Sequence, residues 1–131
     1  MMATITEDYV SFEIAKLLKE KGFDAKCDKC CVYFADDDIR VLNLKYPKSA
    51  QLLIEDRYPC VTIQMAMKWL REVHNIFIQI TVDFSDGAYP MYDVCVVDLA
   101  RCTSIIINGY NRYSCEEAIK AGIKHCLENL I

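Results

Sequence analysis

The apolar period changes half-way through one stretch, Thr62 to Val82, and the rest of the chain is arranged around it. Ile63, Ala66, Met67, Leu70 and Val73 recur at the spacing that lays a continuous stripe along one helix face. Thr62 is placed to cap the first turn through its hydroxyl, and Asn75 tolerates the left-handed backbone that closes a helix. From Ile76 onward the period is two. Ile76, Ile78, Ile80 and Val82 alternate with Phe77, Gln79, Thr81 and Asp83, which predicts a strand with one strongly apolar face. A helix that passes into a strand almost without a loop must fold back on it, laying its stripe over the isoleucines.

The same reasoning places the other elements. Val10, Ile14, Leu17 and Leu18 predict a first helix, closed by Gly22 with Phe23 packing back, and begun at Thr6 in preference to Ser11 because Glu7 and Asp8 suit the dipole of the first turn. Cys31 to Ala35 and Ile39 to Tyr46 read as a hairpin turning at Asp36, Asp37 and Asp38, and Pro47 ends it. Residues 48–61 lack a period and read as a loop closed by Pro59. Asp86-Gly87 marks a turn before the alternating run from Met91 to Leu99, which carries Tyr92, Val94 and Val96 on one face. A strand follows from Thr103 to Ile107, and Asn108-Gly109 turns the chain toward a last helix. That helix starts with a capping box, Ser114 at the N-cap and Glu117 at N3, and continues through Ile119, Gly122, Ile123, Cys126, Leu127 and Leu130. The order α-β-β-α-β-β-β-α, with short turns between strands, predicts one α+β domain over residues 1–131: a mostly antiparallel sheet of about five strands packed with three helices.

Composition narrows the function classes. A chain of 131 residues, 53% hydrophobic and 26% charged, can bury a single core without staples. The first residues carry neither the basic nor the apolar region of a secretory signal, and no run has the length of a membrane span, so the expectation is a cytoplasmic protein without a membrane partner. In that compartment the eight cysteines stay reduced and behave as small buried hydrophobes. The formal charge of −4 opposes a broad phosphate-binding surface and makes a nucleic-acid partner the lesser expectation.

Candidate chemistry is sparse. Cys27-Asp28-Lys29-Cys30 has the spacing of a zinc knuckle, with Cys31 and Cys60 as the remaining candidates, but a structural zinc needs four ligands and a second knuckle is missing. Core or loop cysteines are the simpler reading, with no cofactor. A thioredoxin-like role requires a helix after the motif, and here a strand follows. His74 and His125 each lie near the C-terminal end of a helix, where the dipole favours a cation. No catalytic triad, calcium loop or glycine-rich phosphate loop can be assembled, so a small hydrolytic enzyme is a remote alternative. Residues 62–131 repeat the helix, three strands, helix order of double-stranded RNA-binding domains, yet Cys115-Glu116-Glu117 stands where those domains carry lysines. Met65 and Trp69 widen the apolar arc of the central helix, either to cover a neighbouring loop or to form a surface for a protein partner or a second copy.

Three phrases, VSFEIAKLLKEKGFD, TIQMAMKWLREVHNIFI and YSCEEAIKAGIKHCLENLI, resemble small uncharacterised proteins of gut Bacteroidales and their prophages and phages. The resemblance carries no assigned activity or site; it implies a bacterial or phage cytoplasmic protein encoded near mobile elements. Together these readings point to a noncatalytic protein-interaction or binding module, with an RNA-binding domain over 62–131 as the alternative.

Overall fold

A computed structural model describes residues 8–23, 29–34, 38–43 and 57–131, the strands at 29–34 and 38–43 by their backbone. The elements are α1 (Phe12–Glu20), β1 (Lys29–Phe34), β2 (Asp38–Asn43), β3 (Arg57–Pro59), α2 (Ile63–His74), β4 (Ile76–Asp83), β5 (Met91–Asp98), β6 (Thr103–Ile107) and α3 (Cys115–Asn129). The class is α+β with antiparallel pairing throughout these strands. The single sheet of about five strands expected from the pattern is instead two sheets of three, in the orders β2-β1-β3 and β4-β5-β6. The additional strand is β3, which lies in the segment read as a loop. Three residues ending in proline show no alternation of their own, and pairing with Cys30, Cys31 and Val32 of β1 makes them a strand. In β2, Asp38 opposes Phe34 as part of the ladder, so it does not belong to the turn; residues 35–37 and 44–56, with Pro47, lie outside the described residues.

Helix α1 begins at Ser11, whose Oγ accepts the Ile14 N–H at 3.3 Å. It does not begin at Thr6, itself outside the described residues, because the backbone just before Ser11 is extended and paired elsewhere. Val10 N–H donates to Val61 O and Ile63 N–H to Asp8 O, both at 2.9 Å, around a bridge between Tyr9 and Thr62. This long-range ladder outweighs the dipole preference that favoured the earlier start. At the other end, Phe23 N–H donates to Leu18 O at 2.9 Å and Gly22 N–H to Lys19 O at 3.2 Å, with Gly22 at φ +84°, the closure expected of Gly22-Phe23.

Asn75 closes α2 in the left-handed conformation, φ 57° and ψ 37°, and β4 starts at the next residue. The core then assembles as the periods predict. Leu18, Leu70, Ile78 and Ile123 are buried, joined by Ile14, Ala66, Val94, Val96 and Leu127. Two positions depart from the stripe on α2. Val73 is 58% exposed, because periodicity gives the angle around the helix and not how far its neighbours extend along it. Trp69 is only 8% exposed, held edge-on by Phe23 with ring centroids 5.3 Å apart and by His74 at 4.6 Å. The Gly22 closure of α1 delivers Phe23 to that place.

Along β4 the isoleucine face is covered only in part. Ile76 and Ile78 are buried, Ile80 is half-buried and Val82 is 48% exposed. The β4–β5 hairpin therefore runs out past the helix layer. On α3, Ser114 Oγ accepts the Glu117 N–H at 3.2 Å, but the reciprocal bond of a capping box is not made, since Ser114 N–H donates to Asn111 O at 3.3 Å. Leu70 is fully buried in the core, so Leu70→Ala should lower unfolding stability by about 2–5 kcal/mol, measured by chemical denaturation; an unchanged midpoint would show that α2 is not held by this face.

Candidate functional site

The residues singled out from the sequence do not converge. Cys27 lies outside the described residues; Cys30 and Cys31 are successive positions of β1, opposite Pro59 and Tyr58 of β3; Cys60 follows β3 and is buried. Among the described residues no group of three or more His, Cys, Asp or Glu is placed to hold a metal ion, and no helix is long and apolar enough to cross a membrane. Burial pushes the Cys126 thiol up to about 12 and raises Cys115 as well, the latter with help from the Glu116 carboxylate, so both are poor nucleophiles near neutrality. His74 packs on Trp69, while His125 Nδ1 lies 3.3 Å from Asn129 Nδ2. Trp69 is interior, which removes it from any exposed partner surface; Met65, 40% exposed, remains at the surface without it.

A different site forms where β4 and β5 leave the helix layer. Their connection, residues 84–90, is built by short-range bonds. Asp83 Oδ1 accepts the Ser85 N–H at 2.8 Å, and Gly87, at φ +80°, donates its N–H to Phe84 O at 3.1 Å. This is the turn expected at Asp86-Gly87, with a conformation that suits glycine.

The opposite wall comes from the chain after β6. That strand ends at Ile107, opposite Val94, and the polar backbone of β5 beyond this point needs new partners. Tyr110 supplies them: its hydroxyl accepts the Val94 N–H at 2.9 Å and donates to Tyr92 O at 3.2 Å. Tyr92 N–H donates to Arg112 O at 2.6 Å. The Arg112 side chain then reaches both strands, donating from Nε to Asp93 Oδ1 at 2.8 Å and from Nη2 to Asp83 Oδ2 at 3.2 Å. The Asp93 hydrogen bond above all raises the Arg112 pKa, and the Ser85 amide, then Arg112, hold the Asp83 carboxyl below its ordinary range.

With residues 108–113 anchored to β5, Tyr113 stands across from the hairpin connection, its hydroxyl 3.4 Å from Asp86 Oδ2. Asp86, Ala88, Tyr89, Pro90, Tyr92 and Tyr113 line an open groove of about 740 Å³. Tyr89 is 69% and Tyr113 55% exposed, so their rings are available to a ligand, and Phe84 beside them is also exposed. The lining holds phenols, a proline and one carboxylate. Such a lining offers ring contacts, hydrogen bonds and one negative charge. No protein-family model, curated protein or solved structure matches the chain.

Two signals could have found this groove, the phrases Tyr89-Pro90-Met91-Tyr92 and Tyr110-Asn111-Arg112-Tyr113. Each is short and unremarkable alone. Their meeting depends on where β6 stops. A smaller cleft of about 300 Å³ lies between the N-termini of α2 and α3, but Asp8 and Glu116 line it and already meet the positive ends of the two helices.

Asp83 provides a check on the anchorage. A carboxyl whose folded pKa lies below its ordinary 3.8 contributes stability that is complete above that value and is lost as the pH falls through the lowered one. Protection of the amides in the 84–90 connection, taken relative to their intrinsic exchange rates, should therefore decrease on acidification below pH 3.8, and Asp83→Asn should remove this acid dependence. Exchange that responds to acid identically in both proteins would show that Asp83 does not hold the connection.

Proposed function

We propose that the chain is a noncatalytic protein-interaction module, in a cytoplasmic bacterial or phage setting, and that its binding site is the tyrosine groove at the end of the β4–β5 hairpin. The observation that carries this reading is the exposure of Tyr89 and Tyr113 on an anchored frame. Tyrosine offers a large contact area with few rotors to immobilise, and such anchors dominate interface energetics. Pro90 and Ala88 add apolar surface without further rotor entropy. The frame is set before any partner arrives, which lowers the cost of ordering on binding.

One observation favours a second reading. Residues 62–131 form α2-β4-β5-β6-α3, the order of double-stranded RNA-binding domains. Charge weighs against it. Glu116 and Glu117 occupy the first turn of α3, while Lys120 pairs with Glu117 and Lys124 with Glu13 and Glu128. An RNA phosphate would meet carboxylates where it needs cations.

Affinity capture from a Bacteroidales lysate, followed by calorimetry with the purified partner, tests the first reading. Tyr89→Ala combined with Tyr113→Ala should weaken binding by about 2 kcal/mol or more without changing the fold; an unchanged affinity would place the interaction elsewhere. For the second reading, a mobility-shift titration with an RNA duplex of about 16 base pairs should show no complex at physiological salt, and a complex abolished by raised salt would reverse the order of the two readings.

A further inference from the structure

We infer that the groove takes a cationic side chain, an arginine or lysine of a protein partner. This rests on the groove being the interaction site and names the chemistry of its occupant. The lining residues include one charged group, the Asp86 carboxylate, and no basic side chain. The Tyr113 hydroxyl lies a long 3.4 Å from Asp86 Oδ2, so most of the acceptor capacity of that carboxylate is uncommitted to it. Arg112, next to Tyr113 in the chain, is already engaged by Asp83 and Asp93. Among the described residues the hairpin end thus carries three carboxylates, Asp83, Asp86 and Asp93, and one guanidinium, which pairs with Asp83 and Asp93, so this end is net negative. A neutral or anionic occupant would leave that charge uncompensated.

The rings point the same way. Tyr89, Tyr92 and Tyr113 line the groove together, and tyrosine faces attract an ammonium or guanidinium through their quadrupoles, more strongly as water is excluded. Ala88 and Pro90 suit the methylene stem that precedes the charge. The cationic end can reach Asp86 while the stem lies on apolar surface. Aromatic walls with a carboxylate at the rim combine an attraction for cations with a penalty for anions, which is how such a site selects its partner. A docked phosphate or carboxylate would gain nothing from the rings and would be repelled by Asp86.

The probe is a short acetylated and amidated peptide with a central arginine between alanines, compared with the same peptide carrying citrulline, which keeps the shape and removes the charge. Ring resonances of Tyr89, Tyr92 and Tyr113 report binding. The arginine peptide should shift all three saturably, the citrulline peptide should bind about fivefold or more weakly, and Asp86→Asn should remove most of that difference. Equal binding of the two peptides would overturn the cation while leaving the groove as an interaction site. Absence of any shift at the three tyrosines would overturn the inference whatever the partner's affinity proves to be. Loss of partner binding in the double tyrosine variant, measured separately, tests the groove itself, so the two failures are distinguishable.

Discussion

Helix α3 lies on the second sheet at Gly122. A Cβ at that position would sit 2.9 Å from Val94 Cγ2 and 3.3 Å from Ile78 Cγ2, closer than packed atoms tolerate, so the absence of a side chain lets the helix axis come down onto β4 and β5. The gain is dense burial of Ile78, Val94, Val96 and Ile123, which costs about 1 kcal/mol of helix propensity relative to alanine. With α3 fixed there and α2 joined to β4 through Asn75 alone, α3 packs against β4 and β5 and α2 against β4. The remainder of the hairpin, from Val82 outward, extends beyond them.

That overhang creates a problem and the means of solving it. Backbone groups of β5 beyond the end of β6 would lack partners, and the Tyr110 hydroxyl and Arg112 carbonyl take them. The Arg112 guanidinium then ties Asp83 to Asp93, a pairing at the surface that orients more than it stabilises. The segment that performs this anchoring also carries Tyr113 to its place opposite Tyr89. Anchorage and site therefore share the same residues. A binding surface on connections held by a rigid sheet follows the general division of labour between loops and scaffold.

Two of the thiols, Cys60 and Cys126, belong to the other side of that division, whereas Cys102 is exposed and Cys95 and Cys115 are half-buried, so the expectation of buried cysteines holds only in part. Cys126 is wholly buried in the core and its pKa is pushed up to about 12, which makes it an inert packing group. Cys60 is buried just before α2, next to the ladder that joins Val61 to Val10.

The sequence by itself determined the elements whose evidence is local. The stripe of α2, its Thr62 and Asn75 caps, the alternation of β4 and β5, the Gly22-Phe23 closure and the Asp86-Gly87 turn all follow from residues a few positions apart, because helix faces, strand faces and tight turns are set by short-range geometry. Tertiary structure alone decided what depends on distant partners. It made a strand of Arg57–Pro59, moved the start of α1 to Ser11, buried Trp69 against Phe23, left Val73 in solvent, and divided the strands into two sheets. The groove is of this second kind. Tyr89 and Tyr113 are far apart in the chain, and they meet only because β6 ends early and its continuation is hydrogen-bonded back along β5, an arrangement that no periodicity in the sequence encodes.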